Sequence, residues 1–195
     1  YESGTKVPFM IKVPNSKQAG TRDDRLLSFI DLAPTVLDMA GLDVPEYMQG
    51  KPILDESIKE RKYLVSASDR FDEQVDRIRS IQTKNYKLIV NFDTSKPHAL
   101  PVSYREKMPM MRKMNEMYSS GELDSTQQLW FQTPKKELEF YDLQADPYEI
   151  NNLIDTPDHN YKSLVNRFRK ALEKWIEETN DLGRLSEKEI IENSY

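Results

Sequence analysis

The hydrophobic pattern is most regular near the end of the chain, where apolar residues recur at steps of three and four. These residues are Tyr161, Leu164, Val165, Phe168, Leu172, Trp175 and Ile176. Their spacing predicts an amphipathic helix that begins near Pro157 and ends at Gly183. Because most helical stability in proteins comes from packing of the apolar face, we expect this helix to lie against a sheet.

Four shorter segments have the alternation and the β-branched or aromatic residues that are typical of strands. They lie at residues 63–67, 78–82, 86–92 and 138–143. Asn85 lies in the short connection between the second and third segments and tolerates positive φ, which favours a hairpin. The sequence therefore predicts an α+β fold: a four-stranded antiparallel sheet covered by a long C-terminal helix.

The beginning of the chain predicts a separate part. Val7–Val13 is apolar and β-prone, which predicts a strand. Asp31 and Gly41 are placed to begin and end a short helix, as a cap and a left-handed terminal residue. A segment with several prolines follows, so we place a domain boundary at residue 55. The predicted parts are residues 1–55, as the last strand and helix of a larger α/β domain, and the small domain 56–195.

Two further local patterns concern the second part. Methionines between Met110 and Met117 follow helical spacing, and Gly121 then predicts a stop. Asp146, Pro147 and Glu149 have the spacing of a capping box with proline in the first turn, which predicts the start of a helix.

Composition limits the partners. The net charge is -5, which disfavours a nucleic-acid partner, and there is no cysteine, so no disulfide or thiolate zinc site exists within the chain. No apolar run approaches the roughly 20 residues that span a bilayer, so no membrane contact is predicted.

The candidate chemistry is sparse. Of the two histidines, neither has a second histidine or a carboxylate at metal-ligand spacing, and His98, in a Pro-flanked loop, is the better candidate for a ligand contact than His159. Asp69 and Arg70 follow a predicted strand, where side chains can line a cleft, and arginine matches a sulfate or carboxylate. The alternative is a structural salt bridge at a strand corner. We predict Asp69, Arg70 and His98 as substrate-binding residues.

Four blocks, in order, resemble the sulfatase family. Tyr1–Pro8 is similar to the segment that follows the family's active-site lysine, although the family usually has Arg where this chain has Lys6. Asp31–Leu37 and Gln49–Leu54 resemble the next two blocks, and Glu139–Leu153 resembles the carboxy-terminal one.

A finer resemblance concerns the subgroup of sulfamidase-like and glycan sulfatases. It rests on the acidic and basic residues of 69–73 together with Asp76, Arg77 and Arg79.

The resemblance implies a C-terminal fragment of an enzyme of the alkaline phosphatase superfamily that hydrolyses sulfate from a sulfated glycan. It implies calcium and a formylglycine in the complete enzyme. The family's Cys/Ser-x-Pro-x-Arg motif, metal ligands and catalytic His and Lys have no counterpart here. We therefore predict no catalytic residue, metal site or cofactor in this chain, and no activity of the chain alone.

Two other functions stay open: a non-catalytic module that binds a glycan or a partner, and part of a phosphoester or phosphonoester hydrolase of the same superfamily. The resemblance implies a sulfated carbohydrate as substrate of the complete enzyme, in a periplasmic or secreted location. Since the strand predicted at Val7–Val13 would present an apolar edge, we also expect self-association through this N-terminal segment.

Overall fold

The computed structural model describes residues 1–14 and 19–192. The chain divides into two compact units, Tyr1–Leu64 and Val65–Tyr195. The boundary predicted at residue 55 lies inside the first unit, and the assignment of that part to a larger domain stays a prediction. Within the described ranges, no helix is long and apolar enough to cross a membrane.

In its described residues, the first unit holds two α-helices, α1 (Glu2–Thr5) and α2 (Leu32–Met39), with a 3-10 turn at Phe29–Asp31 directly before α2. The strand predicted at Val7–Val13 is wrong. This segment pairs with no strand among the described residues, and most of its side chains are exposed. An extended segment needs a partner for its backbone groups, and periodicity alone does not supply one.

Asp31 is the buried polar centre of the first unit. Its carboxylate accepts two hydrogen bonds of 2.6 Å from the guanidinium of Arg61 and further bonds from the backbone N–H groups of Ser28 and Lys51. Burial raises the pKa of Asp31, but these donors outweigh it and the net pKa is lowered. Asp31 directly precedes α2, as predicted, but its side chain makes no capping hydrogen bond to this helix and binds Arg61 instead. Gly41 adopts the predicted left-handed conformation, with φ of 70°.

The second unit is built on one four-stranded antiparallel sheet of order β1-β2-β3-β4. The strands are β1 (Leu64–Phe71, whose first residue belongs to the first unit), β2 (Gln74–Gln82), β3 (Tyr86–Asn91) and β4 (Leu138–Asp142). In the register, Ile81 lies opposite Leu88, and Leu88 lies opposite Phe140. The prediction of four strands is confirmed.

The long helix α5 (His159–Glu178) covers the face of the sheet that carries Ile81, Leu88 and Phe140. The Phe168 ring packs edge-on against the Phe140 ring, with centroids 5.7 Å apart. The predicted helix and its apolar stripe are confirmed. The helix ends earlier than the predicted Gly183: α5 stops at Glu178, and Asn180 is the residue after it with left-handed φ.

The described part of the second unit also contains the α-helices α3 (Pro109–Ser120), α4 (Ser125–Phe131) and α6 (Glu187–Glu192), with a 3-10 turn at Arg105–Lys107 before α3. The methionine-rich helix is confirmed as α3, and Gly121 follows it with φ of 71°. The sequence analysis missed α4, which begins with a reciprocal capping box between Asp124 and Gln127.

The capping box predicted at Asp146 and Glu149 is wrong. The residues after β4 form turns, and the Asp146 carboxylate accepts from the N–H groups of Ile150 and Asn151. Glu149 has φ of 55°, and its carboxylate crosses to Lys87 on β3. A buried ion pair with a distant strand replaces the local cap.

Candidate functional site

The face of the sheet opposite α5 carries a buried polar cluster centred on Glu139, on β4. One carboxylate oxygen of Glu139 accepts a 2.6 Å hydrogen bond from the Asn91 amide, and the other accepts a 2.6 Å hydrogen bond from the Tyr141 hydroxyl. The His98 Nε2 atom lies 3.3 Å from the oxygen that also binds Asn91. We name Asn91, His98, Glu139 and Tyr141 the Glu139 cluster.

Strand alternation explains why three of these side chains converge. Tyr141 and Glu139 are two residues apart on β4, so they point to the same face. Glu139 lies opposite Ile89, and Asn91 follows Ile89 by two residues. His98 reaches the same face from the loop after β3, where Ala99 N–H donates to the Trp130 carbonyl at 2.8 Å.

The cluster orients a histidine that is not completely buried. The His98 side chain is 12% exposed, whereas Glu139 is 6% exposed. A carboxylate beside an imidazole nitrogen fixes the orientation of the ring. The arrangement can therefore present one edge of an imidazole towards a ligand.

Two buried ion pairs flank the Glu139 cluster on this face. Lys87 Nζ lies 2.8 Å from Glu149, and both side chains are 1% exposed. Lys135 pairs with Asp76, and both are nearly as deeply buried. Buried charges need such partners, because an unpaired one carries a large desolvation cost.

The predicted residues Asp69 and Arg70 lie in β1, not in a loop beyond it. Asp69 accepts 2.7 and 3.0 Å hydrogen bonds from Arg79, whose side chain is 2% exposed. Asp181, in the segment after α5, binds the same guanidinium with contacts of 2.6 Å. The structural salt bridge considered in the sequence analysis therefore exists at Asp69. Arg70 makes a 3.3 Å ion pair with Glu187, and both side chains are about half exposed.

The contacts within this ion-pair group shift the pKa values of Arg79 and Asp181. Burial lowers the pKa of Arg79, but the hydrogen bonds with Asp181 and Asp69 outweigh it and raise the pKa. The hydrogen bonds from Arg79 in turn hold the pKa of Asp181 below its usual range. Arg79 and Asp181 are therefore both charged at neutral pH, which suits a structural role.

The structure does not gather the three predicted residues into one site. Asp69 binds Arg79, which shares the α5-covered face with Ile81, whereas His98 contacts Glu139 on the opposite face. Whether any of them touches a substrate stays a prediction.

The sequence analysis missed Asn91, Glu139 and Lys87. Each alternates with apolar neighbours, as solvent-facing residues of a half-buried strand do. One available signal was the pair Glu139 and Tyr141, because their two-residue spacing places an acid and a hydroxyl on one face.

The described residues do not fit the calcium site that the resemblance implies. Calcium takes six to eight oxygen ligands. Across residues 1–14 and 19–192, no group of three or more His, Asp or Glu side chains could hold a metal ion. The sequence also contains no cysteine and no Ser-x-Pro-x-Arg motif from which a formylglycine could be made.

Comparisons with known proteins identify the family. Residues 1–129 match the family model described as N-sulphoglucosamine sulphohydrolase, C-terminal. An ulvan-active sulfatase of Formosa agariphila is 38% identical over 98% of this chain and 32% of its own length. The N-sulphoglucosamine sulphohydrolase of Homo sapiens is 23% identical over 93% of this chain and 38% of its own length.

A solved structure supports the fold. A 2-O GAG sulfatase has a TM-score of 0.53 and 21% identity, over 80% of this chain and 26% of that one. The chain thus spans about a third of the length of the curated relatives it matches. The resemblance to sulfatases is confirmed: the chain belongs to the family of N-sulphoglucosamine sulphohydrolase C-terminal domains.

Proposed function

We propose that this chain forms the C-terminal domain of a sulfatase that removes sulfate from a sulfated glycan. The observation that carries the proposal is the family match over residues 1–129. The names of the relatives, which include an ulvan-active sulfatase and an N-sulphoglucosamine sulphohydrolase, support a sulfated carbohydrate as the substrate class. In this proposal the domain contacts substrate, and the reacting groups belong to other residues of the complete enzyme.

His98 is the proposed substrate contact of the Glu139 cluster. Its ring is held by Glu139, which Asn91 and Tyr141 hold in turn, so little side-chain entropy is lost on binding. The partly exposed edge of this imidazole can exchange a hydrogen bond with a sugar hydroxyl, which both donates and accepts.

Arg70 is a second proposed contact. Its surface ion pair with Glu187 is of the kind worth about 0–1 kcal/mol, so an anionic glycan group can replace Glu187 at little cost. Asp69 is held by Arg79 and would act on substrate only through this neighbour.

The calcium ion and the formylglycine of the complete enzyme are proposed to be held outside this chain, in line with the poor fit of the described residues. A periplasmic or secreted location and self-association through the N-terminal segment also stay predictions. The exposed side chains of Val7, Met10, Phe29 and Val36 support the second.

The test uses a longer polypeptide in which this chain is joined to the preceding part of a sulfatase. His98→Ala is expected to lower kcat/KM for a sulfated tetrasaccharide about ten-fold, because one substrate hydrogen bond is lost. Hydrolysis of a small aryl sulfate, which lacks the glycan, should be unchanged. His159→Ala is the matched control, since His159 is exposed at the start of α5.

Two outcomes contradict the proposal. Equal losses on both substrates would mean that His98 does not contact the glycan. Preference of the longer polypeptide for phosphate or phosphonate esters over sulfate esters would favour the other hydrolase class of the superfamily.

A further inference from the structure

A group of aromatic side chains surrounds Arg105 at the tip of the β1–β2 hairpin. The Arg105 guanidinium carbon lies 5.4 Å from the centroid of the Phe71 ring and 5.1 Å from that of Trp130. Phe71 also contacts Tyr104, with ring centroids 6.5 Å apart. We name Phe71, Tyr104, Arg105 and Trp130 the aromatic platform.

The platform is fixed to the scaffold by hydrogen bonds. The Ser103 N–H donates to the Glu73 carboxylate at 2.7 Å, and the Gln74 side chain donates to the Pro101 carbonyl at 3.0 Å. Arg105 donates to the Leu100 carbonyl on the inner side. The hairpin tip and the loop from residue 101 to 105 are thereby held together, so the aromatic rings need little ordering before a ligand binds.

Two rings of the platform remain open to solvent. Phe71 is 40% exposed and Tyr104 is 46% exposed. Two polar groups belong to the same region: the Tyr104 hydroxyl and the Glu73 carboxylate, which binds the N–H of Ser103, the residue before Tyr104. The hydrogen bond from the Ser103 N–H lowers the pKa of Glu73, so this acceptor is ionised at neutral pH.

We propose that the aromatic platform is a saccharide-binding subsite. A pyranose ring has an apolar C–H face and a polar hydroxyl edge, which match an exposed aromatic surface with a carboxylate at its rim. The two rings are inclined by 56° to each other, so the C–H face stacks on one ring and contacts the other at an angle, while a hydroxyl donates to Glu73. The saccharide class rests on the proposed function, whereas the platform shares no residue with the Glu139 cluster.

The charges around the platform indicate whether binding depends on the sulfate groups of the saccharide. Glu73 and Glu106 oppose Arg105 and Lys107 in the same short region, so no net positive field favours a sulfate. Binding therefore depends on ring stacking and hydroxyl contacts. The subsite should take a sulfated chain and its desulfated form with similar affinity.

The experiment is titration of this chain with a heparin-derived tetrasaccharide and with the same tetrasaccharide after desulfation. Calorimetry measures the affinity, and tryptophan fluorescence reports on Trp130. We expect both probes to bind with dissociation constants within about three-fold of each other. Tyr104→Ala and Phe71→Ala should each weaken binding about ten-fold, in line with the loss of one stacked ring.

Two variants serve as controls. Tyr148→Ala removes another tyrosine of the second unit, which is 81% exposed and lies outside the platform, and should leave the affinity unchanged. Trp130→Phe is the control for the spectroscopic signal: it should abolish most of the fluorescence response, because the other tryptophan of the chain, Trp175, lies in α5 outside the platform. Circular dichroism confirms that each variant is folded.

Three results would overturn the proposal: no binding of either probe at about 10 mM, binding of the sulfated probe alone, or affinity that survives both Tyr104→Ala and Phe71→Ala. Failure of the saccharide subsite can be told apart from failure of the proposed sulfatase function. If the longer polypeptide hydrolyses glycan sulfate but the platform binds no saccharide, only the subsite is wrong. If the platform binds saccharide without any sulfatase activity of the longer polypeptide, the chain is a glycan-binding module.

Discussion

The two faces of the sheet in the second unit are both buried, but different interactions hold them. On the α5 face, Leu88, Phe140 and Phe168 are fully buried and in apolar contact, and Arg79 is buried and bound by its two carboxylate partners. On the opposite face, which we name the polar face, Lys87 and Glu139 are almost equally buried and are held by ion pairs and hydrogen bonds, although Ile89 and Leu143 form an apolar cluster beside them. Burial by itself therefore does not say whether a face is a hydrophobic core.

The difference has a physical consequence for function. The apolar face gains free energy from every methylene it removes from water, so it is a stabilising element. The ion pairs of the polar face add little net free energy, because desolvation of the charges offsets their attraction. Oriented donors and acceptors that add little stability are suited to ligand contacts, and we place the proposed contact His98 there.

The largest expected effect is at the α5 face. Phe168→Ala removes a ring that is fully buried against Phe140, and we expect a loss of about 3–5 kcal/mol in the free energy of unfolding. Urea unfolding followed by far-UV circular dichroism measures it. Arg169→Ala, at an exposed position of the same helix, should change stability by less than about 0.5 kcal/mol. Similar losses for the two variants would mean that α5 does not pack on the sheet.

A slightly smaller loss in the free energy of unfolding is expected on the polar face. Lys87→Met leaves the carboxylate of Glu149 buried beside an apolar chain, which should cost about 3 kcal/mol. The double variant Lys87→Met, Glu149→Met should recover most of that loss, because it removes both charges. If the two single losses simply add in the double variant, the pair is not a coupled buried ion pair.

The smallest expected loss of stability comes from substitution of Asp181. Asp181→Asn should cost about 1–3 kcal/mol at pH 7, since the hydrogen bonds from Arg79 lose their ionised acceptor. The lowered pKa of Asp181 sets the pH dependence. The stabilisation is present above the unfolded pKa of about 3.9 and is lost as pH falls through the lower folded pKa. The gap between wild type and variant in urea unfolding should therefore narrow below about pH 4. A gap that widens there would contradict the assignment.

The sequence predicted the apolar face well. The stripe of α5 and the strands that carry Leu88 and Phe140 follow their periods of 3.6 and 2 closely. Both signals are local, because the side chains that share a face are also neighbours at fixed spacing in the chain.

The polar face could not be predicted in the same way. Lys87 alternates with apolar residues, so its pattern equals that of a solvent-exposed position. Its partner Glu149 lies far away in the chain, and so does Asp76 from Lys135. Only the tertiary fold brings these pairs together.

The predicted strand at Val7–Val13 failed for a related reason. An apolar, β-prone segment has the composition of a strand, but a strand also requires hydrogen bonds to a neighbour. Asp69 and Arg70 were found as polar residues of interest, but their partners lie elsewhere in the fold: Arg79 on the neighbouring strand β2, and Glu187 in α6, after α5.

The most direct test of the central claim, that this chain carries substrate-side groups without the reacting groups, is sulfate release from an aryl sulfate by the chain alone in the presence of calcium. We predict a rate equal to the buffer blank, while the longer polypeptide turns over the same substrate. Turnover by the chain alone, above the blank and abolished by His98→Ala, would contradict the claim, because it would place an active centre within these 195 residues.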